Sequence, residues 1–344
     1  MNKKLITNMV LGSIIALNIT GCSLQKKSPQ PYIKANNNIS MQTKTNYQER
    51  MKTFIEKLEQ LNPGIDMTNF YENVKTLIIR TDSLKEAVYG SYDIETNTIT
   101  LSGNENSSLE HELMHVVFAN RKTMKTGLID ENFNGKALEE GIVETFSSET
   151  NNSENTYKFN VAIAKIFTKI LGKDIIVDAI NKKELNIITK ALATIKPNEK
   201  DAFEFVQYFD YEHKLLSKLH EDYFTNGNIN NFKSTQDYEK LKSVRSDLVK
   251  RIKIYIKAYY NNKINNNDIT PGLDIPDMIG LLNLINNELF DKDIEITQSN
   301  DFFLKNEFDI IMKTHKVTNQ EYDSYVVKAN NIKYLVNNEN TKTK

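Results

Sequence analysis

From Tyr157 almost to the end of the chain, apolar residues return every three or four positions, the spacing of one buried helix face. Val161, Ala164, Phe167, Ile170 and Leu171 form the first stripe, and Gly172 ends it. Stretches of the same kind run over about 174–194, 199–224, 235–261, 276–290 and 302–314. Asn-rich breaks at 226–231 and 261–267, and the region of Pro271 and Pro276, separate the later ones. No repeat of fixed period underlies them, so a solenoid is not expected. The strand–helix alternation of a solute receptor is missing as well. The single cysteine, Cys22, allows no disulfide within the chain, so apolar burial must hold the body together. Hydrophobic residues at 39% and charged ones at 26% suit that task, and a net charge of -1 argues against a nucleic-acid partner.

Ahead of this helical region the composition changes twice. Lys3 and Lys4 precede an apolar run from Leu5 to Ile19, which is short of the roughly 20 residues needed to span a bilayer. Small residues then lead into Cys22, in Ile19-Thr20-Gly21-Cys22. This pattern resembles a bacterial lipoprotein signal. The resemblance implies cleavage after residue 21, acylation (palmitate among the chains) of Cys22, and a protein anchored to the outer face of the cell membrane. Residues 22–45, rich in Lys, Gln, Ser and Asn with Pro29 and Pro31, read as the lipidated cysteine and a disordered tether.

The folded body starts with a helix carrying Tyr47, Met51, Phe54, Ile55, Leu58 and Leu61 on one face, stopped by Asn62-Pro63-Gly64. A short helix over 68–74 follows, then a buried strand in Thr76–Arg80. Val88–Tyr92 and Thr98–Leu101 read as two further strands, the second with Ile99 and Leu101 on one face and Thr98 and Thr100 on the other. After the loop Asn104-Glu105-Asn106, Ser107-Ser108-Leu109-Glu110 has the form of a capping box and predicts a helix start. That helix carries His111-Glu112-Leu113-Met114-His115. Positions i and i+4 lie one above the other, so His111 and His115 can share a metal ion, while Glu112 points about 100° further round.

Two histidines leave a catalytic metal one protein ligand short. A ligand six residues beyond His115 would need Gly at 118, but Phe118 and Arg121 occupy the positions concerned, which excludes the metzincin pattern. Asp130 and Glu131, after Gly127, are one source of a third ligand. A second helix, Ala137–Phe146, offers Glu139, Glu140 and Glu144. His111-Glu112-x-x-His115 followed by Glu140-x-x-x-Glu144 resembles the gluzincin, or thermolysin-like, group of zinc peptidases. The resemblance covers about 76–171. It implies Glu140 as the third zinc ligand and Glu144 as hydrogen-bond partner of His111, in line with the need of a ligand histidine for an acceptor on its other N–H. Gly141 would leave room for close approach of the two motif helices.

The implied chemistry is peptide-bond hydrolysis, with Glu112 as general base on zinc-bound water. A further group must steady the oxyanion. Tyr157 is the first candidate, with Tyr208, Tyr211, His213, His220 and Tyr223 as others on a later helix; His315 is remote. The expectation is thus an α+β, zincin-like fold with a small β-sheet beside the motif helix and a large, mostly helical C-terminal lobe. Its divisions are a signal peptide (1–21), the tether (22–45), a metal-binding catalytic domain (46–172), the helical lobe (173–336) and a polar tail (337–344). A peptide or protein is the expected substrate, Zn2+ the cofactor, and the membrane a partner through Cys22. The alternative from another class is a surface-binding lipoprotein that uses the same scaffold without catalysis.

Overall fold

The computed structural model describes residues 41–82, 89–102, 108–151, 157–196, 198–219, 221–222, 234–289 and 302–336. It is mostly helical with one small sheet, compatible with the α+β class. The elements are α1 (Met41–Leu61), α2 (Thr68–Asn73), β1 (Ile78–Asp82), β2 (Gly90–Asp93), β3 (Thr98–Ser102), α3 (Leu109–Phe118) and α4 (Lys136–Asn151). They continue with α5 (Lys158–Leu171), α6 (Lys173–Lys182), α7 (Leu185–Ile195), α8 (Glu199–Leu219), α9 (Gln236–Asn265), α10 (Pro271–Asn283), α11 (Lys305–Thr314) and α12 (Asn319–Ala329). The leader, Cys22, most of the tether and the tail lie outside the described residues. Helix α1 begins at Met41, so residues 41–45, expected as the end of the tether, are helical.

The three strands run in the order β1-β3-β2, with β1 parallel and β2 antiparallel to β3. Central β3 is covered on both faces: Ile99 and Leu101 are fully buried, and Thr98 and Thr100 nearly so. The alternation in its sequence therefore marks two buried faces of different polarity, one of them served by Arg80, whose Nε donates to Thr100 Oγ1 at 2.9 Å. β2 forms an edge of the sheet and packs beside α3.

Helix α3 is buried nearly all round, with Leu113, Met114, Val116 and Val117 in the core. Its ends depend on other elements. Ser107 lies outside the described residues, and the N-cap is Ser108, whose hydroxyl makes no cap bond but donates to the Tyr89 carbonyl at 2.9 Å. Glu110, the expected return arm of the capping box, instead accepts from Arg50 Nε of α1 at 2.9 Å. At the other end, Asn73 donates to the carbonyls of Val116 and Ala119 at 3.1 and 3.0 Å, closing orphan acceptors. Arg121 binds the carbonyls of Ile94 and Glu95 and so ties α3 to the β2–β3 turn.

Helix α4 is held in the same borrowed fashion. Gly135, at φ +97°, turns the chain into it. The N–H groups of Gly135 and Ala137 then donate to the Asp210 carboxylate of α8, at 2.6 and 2.8 Å. Gly141 does serve close approach, but to α5: a Cβ there would stand 2.2 Å from the Asn160 carbonyl oxygen. At the far end, Glu149 accepts from the backbone N–H groups of Tyr334, Leu335 and Val336 at 2.8–3.1 Å.

Among the later helices, the stretch expected at 174–194 divides into α6 and α7, because Lys183 adopts the left-handed conformation. Pro271 opens α10 at its first turn, where its missing N–H costs nothing, and Pro276 lies inside that helix rather than in a break. The T-x-x-E box Thr318–Glu321, unremarked in the sequence, starts α12 with both reciprocal bonds made. The buried apolar side chains form one cluster from Tyr47 to Val336.

Candidate metal centre

Helices α3 and α4 pack against each other and bring three donor atoms together. His111 Nε2 and His115 Nε2 are 3.2 Å apart. Glu140 Oε2 lies 3.4 Å from the first and 3.6 Å from the second. The three side chains can hold a metal ion, and they are the group of this kind among the described residues. The two histidines owe their alignment to the i, i+4 spacing on α3, and Glu140 faces them because the next helix crosses the same cleft.

Each histidine has a carboxylate on its other nitrogen. Glu144 Oε2 lies 2.7 Å from His111 Nδ1, one turn below Glu140 on α4. Glu139 Oε1 lies 3.6 Å from His115 Nδ1. Its other oxygen accepts from the Leu128 N–H at 2.7 Å, where Gly127 gives it space: a Cβ on Gly127 would stand 2.6 Å from Glu139 Oε2. The sequence pattern gave roles to Glu140 and Glu144 and none to Glu139. Its adjacency to Glu140 hid it, since neighbours on a helix point about 100° apart and only the fold shows where the second direction leads.

Four acids and two imidazoles in one buried place settle their protons together. Burial works against a charge on His111, but hydrogen bonds donated by its ring to the Glu140 and Glu144 carboxylates overcome it and lift its pKa to about 9. His115 is likewise raised well above its ordinary value: burial opposes the charge, and Glu140 and Glu139 override it. Burial resists ionisation of Glu140, yet the charges and hydrogen bonds of the two histidines hold it well below the usual carboxylate range. Glu112 is only 4% exposed, and burial, partly offset by both histidines, pushes its carboxyl up.

A cleft of about 330 Å3 opens over these groups. On one side the edge strand contributes Gly90, Ser91 and Tyr92, and on the other stand Lys136 and Tyr157. Gly90 abuts the Glu112 side chain, and a Cβ on it would stand 2.7 Å from Glu112 Oε1. Tyr157 occupies the N-cap position of α5, its ring centroid 5.9 Å from that of His111. Burial and the surrounding acids raise its hydroxyl pKa, so it remains a proton donor at neutral pH.

The other candidates fall elsewhere. His213 sits behind Tyr157 with ring centroids 6.0 Å apart. Its Nδ1 accepts from Asn160 Nδ2 at 3.1 Å, while the same amide donates to the Ala137 carbonyl. Burial lowers its pKa and keeps it neutral. Tyr208 and Tyr211 stack on each other and carry Arg251 and Lys240 of α9 over their rings, away from the cleft. His220 and Tyr223 lie outside the described residues, and His315 caps α11 on the surface. Asp130 is not a ligand here: its carboxylate accepts from the N–H groups of Asn132 and Asn134 within its own turn, and Glu131 is exposed. No protein-family model, no curated protein and no solved structure matches this chain.

Proposed function

We propose that the chain is a zinc-dependent peptidase of the gluzincin kind, with a zincin-like fold, anchored by lipid on Cys22 to the outer face of a bacterial membrane. The observation that carries the reading is the triangle of His111, His115 and Glu140, with sides of 3.2, 3.4 and 3.6 Å. Tetrahedral zinc with bonds of about 2.0–2.1 Å keeps its ligands roughly 3.3–3.4 Å apart. Two imidazoles and a carboxylate are also a donor set of catalytic rather than structural zinc sites. The Glu144 acceptor on His111 Nδ1 supports it further, because it fixes the ring that a ligand nitrogen needs, and Glu139 places a second carboxylate near His115 Nδ1.

When bound, zinc supplies a Lewis acid that acidifies water and polarises a carbonyl. Glu112, beside the ligands but not one of them, accepts the water's proton and passes it to the leaving amine. Its burial supports this role by bringing the carboxyl up toward the pH at which it must both take and release a proton. The Tyr157 hydroxyl donates a hydrogen bond to the oxygen that gains charge. Strand β2, an edge of the sheet among the described residues, stands at the mouth of the cleft and offers backbone groups to an extended peptide.

Metal analysis of the purified chain, wild type beside Glu140→Ala, with a peptide-library assay on both, tests the reading. One zinc per chain, lost in the variant, and hydrolysis by the wild type are expected. Glu112→Gln should keep its zinc and lose about 100-fold or more of the rate. Full occupancy in Glu140→Ala, or an active Glu112→Gln, overturns the assignment. Zinc without hydrolysis of any peptide would favour the binding lipoprotein.

A further inference from the structure

Lys136 is the only lysine or arginine among the described residues lining the cleft, and it is exposed there. It is the first residue of α4 and stands one turn before Glu140 on the same helix face. At this spacing Glu140 would be its natural ion-pair partner, but that carboxylate is turned to His111 and His115. The nearby Asp210 feels the Lys136 charge, but its carboxylate accepts from the backbone N–H groups of Gly135 and Ala137 rather than pairing with the ammonium group. Lys136 forms no ion pair among the described residues. A cation at the first position of a helix also runs against the helix dipole, so the position does not serve α4.

We infer that Lys136 is a specificity residue, which receives a carboxylate of the bound peptide one helical turn from the metal ligands. The inference rests on the peptidase reading of the cleft. The carboxylate has two possible sources, an Asp or Glu side chain of the substrate or its free C-terminus. Both present two oxygens to the ammonium group at the cleft wall, where water is partly excluded and a charge-assisted contact is strengthened. Outside the two metal-facing histidines, the other ionisable side chains of the cleft are the acids Glu112, Glu139 and Glu140, and two of these are committed to the histidines. Away from the metal position, a substrate carboxylate placed beside these acids meets like charges, so position as well as sign is selected.

The test uses the zinc-loaded full chain carrying Glu112→Gln, which binds without turnover, and labelled octapeptides of one Ala/Leu/Phe sequence. A Glu, Gln or Lys is moved through each position, and every peptide is made with a free and an amidated C-terminus. Fluorescence anisotropy should show one position, or the free terminus, binding about tenfold tighter as the acid than as its neutral counterpart. Adding Lys136→Ala should bring that ratio to about one, Lys136→Arg should retain it, and Lys136→Glu should turn the preference to Lys. A ratio unchanged by Lys136→Ala, no discrimination at any position, or no binding of any peptide overturns the inference. Discrimination that depends on Lys136, without hydrolysis by the chain that retains Glu112, would sink the peptidase reading alone. Hydrolysis without discrimination would sink the subsite alone.

Discussion

Glu144 is the side chain whose role rests most on a single contact, its 2.7 Å approach to His111 Nδ1. Glu144→Ala should weaken zinc binding by about 10- to 100-fold, read by competition with a chelator of known affinity. A change of less than twofold would reduce Glu144 to a bystander. The protons of the site set a second expectation. With its pKa near 9 in the metal-free chain, His111 is protonated at neutral pH, and a metal must displace that proton. Affinity should therefore rise with pH up to about 9, and loading at pH 7 should release protons, measurable by calorimetry in buffers of different ionisation enthalpy. For the metal-free fold the sign is opposite: the raised pKa stabilises it below about 6.5, and that contribution disappears as pH passes through about 9. At this scale the group of His111, His115 and Glu140 was legible, because i, i+4 spacing aligns the two histidines and the paired motif on the next helix named the acid that faces them. Glu139 was not, since its meaning depends on which way the second of two adjacent acids points in the fold.

Helices α3 and α4 carry the site, yet neither ends on its own sequence signals. The S-x-x-E pattern at 107–110 reads as a capping box, but Glu110 is drawn away by Arg50, some 60 residues earlier. Thr318-x-x-Glu321 makes the same box in full, because nothing competes for its glutamate. A local motif is thus honoured where its residues are exposed and overridden where tertiary partners reach it. The N-terminus of α4 shows the converse, a cap with no local signature, since Asp210 belongs to α8. Asp210→Ala should cost about 1–2 kcal/mol of stability, in the range of a lost helix cap, and lower the midpoint of thermal unfolding followed by circular dichroism. An unchanged midpoint would mean that water caps the helix equally well. Element existence was readable from periodicity in the same way, from α1 through α9. The parallel pairing of β1 with β3 was not, because nothing in a strand's own residues names its neighbour.

Across the molecule, α3 and α4 lean on a body whose core holds, among the described residues, one fully buried ion pair. Arg245 of α9 donates through Nε to Glu212 of α8 at 2.6 Å, and its guanidinium lies 4.5 Å over the Phe159 ring of α5. Both partners are at most 1% exposed, so removal of one leaves a bare buried charge. Glu212→Ala should destabilise the fold by about 3–5 kcal/mol, and the double change Glu212→Leu with Arg245→Met should recover most of it in a denaturant titration. A single variant as stable as the wild type would show that solvent reaches the pair. Such a partner could not be foreseen from the sequence, where Glu212 and Arg245 read as two more charges on long helices.

The bond between Glu149 and the last described residues has a consequence in time. Glu149 closes the helix that carries Glu140, and its partners Tyr334, Leu335 and Val336 lie 185 to 187 positions further along. A chain still emerging in order from its N-terminus holds both halves of the metal triangle long before it holds those partners. Until they arrive, a carboxylate that is half-buried in the finished fold lacks these backbone donors, and the end of α4 lacks this clamp. A chain cut short before residue 334 therefore carries His111, His115 and Glu140 without the clamp at the far end of α4.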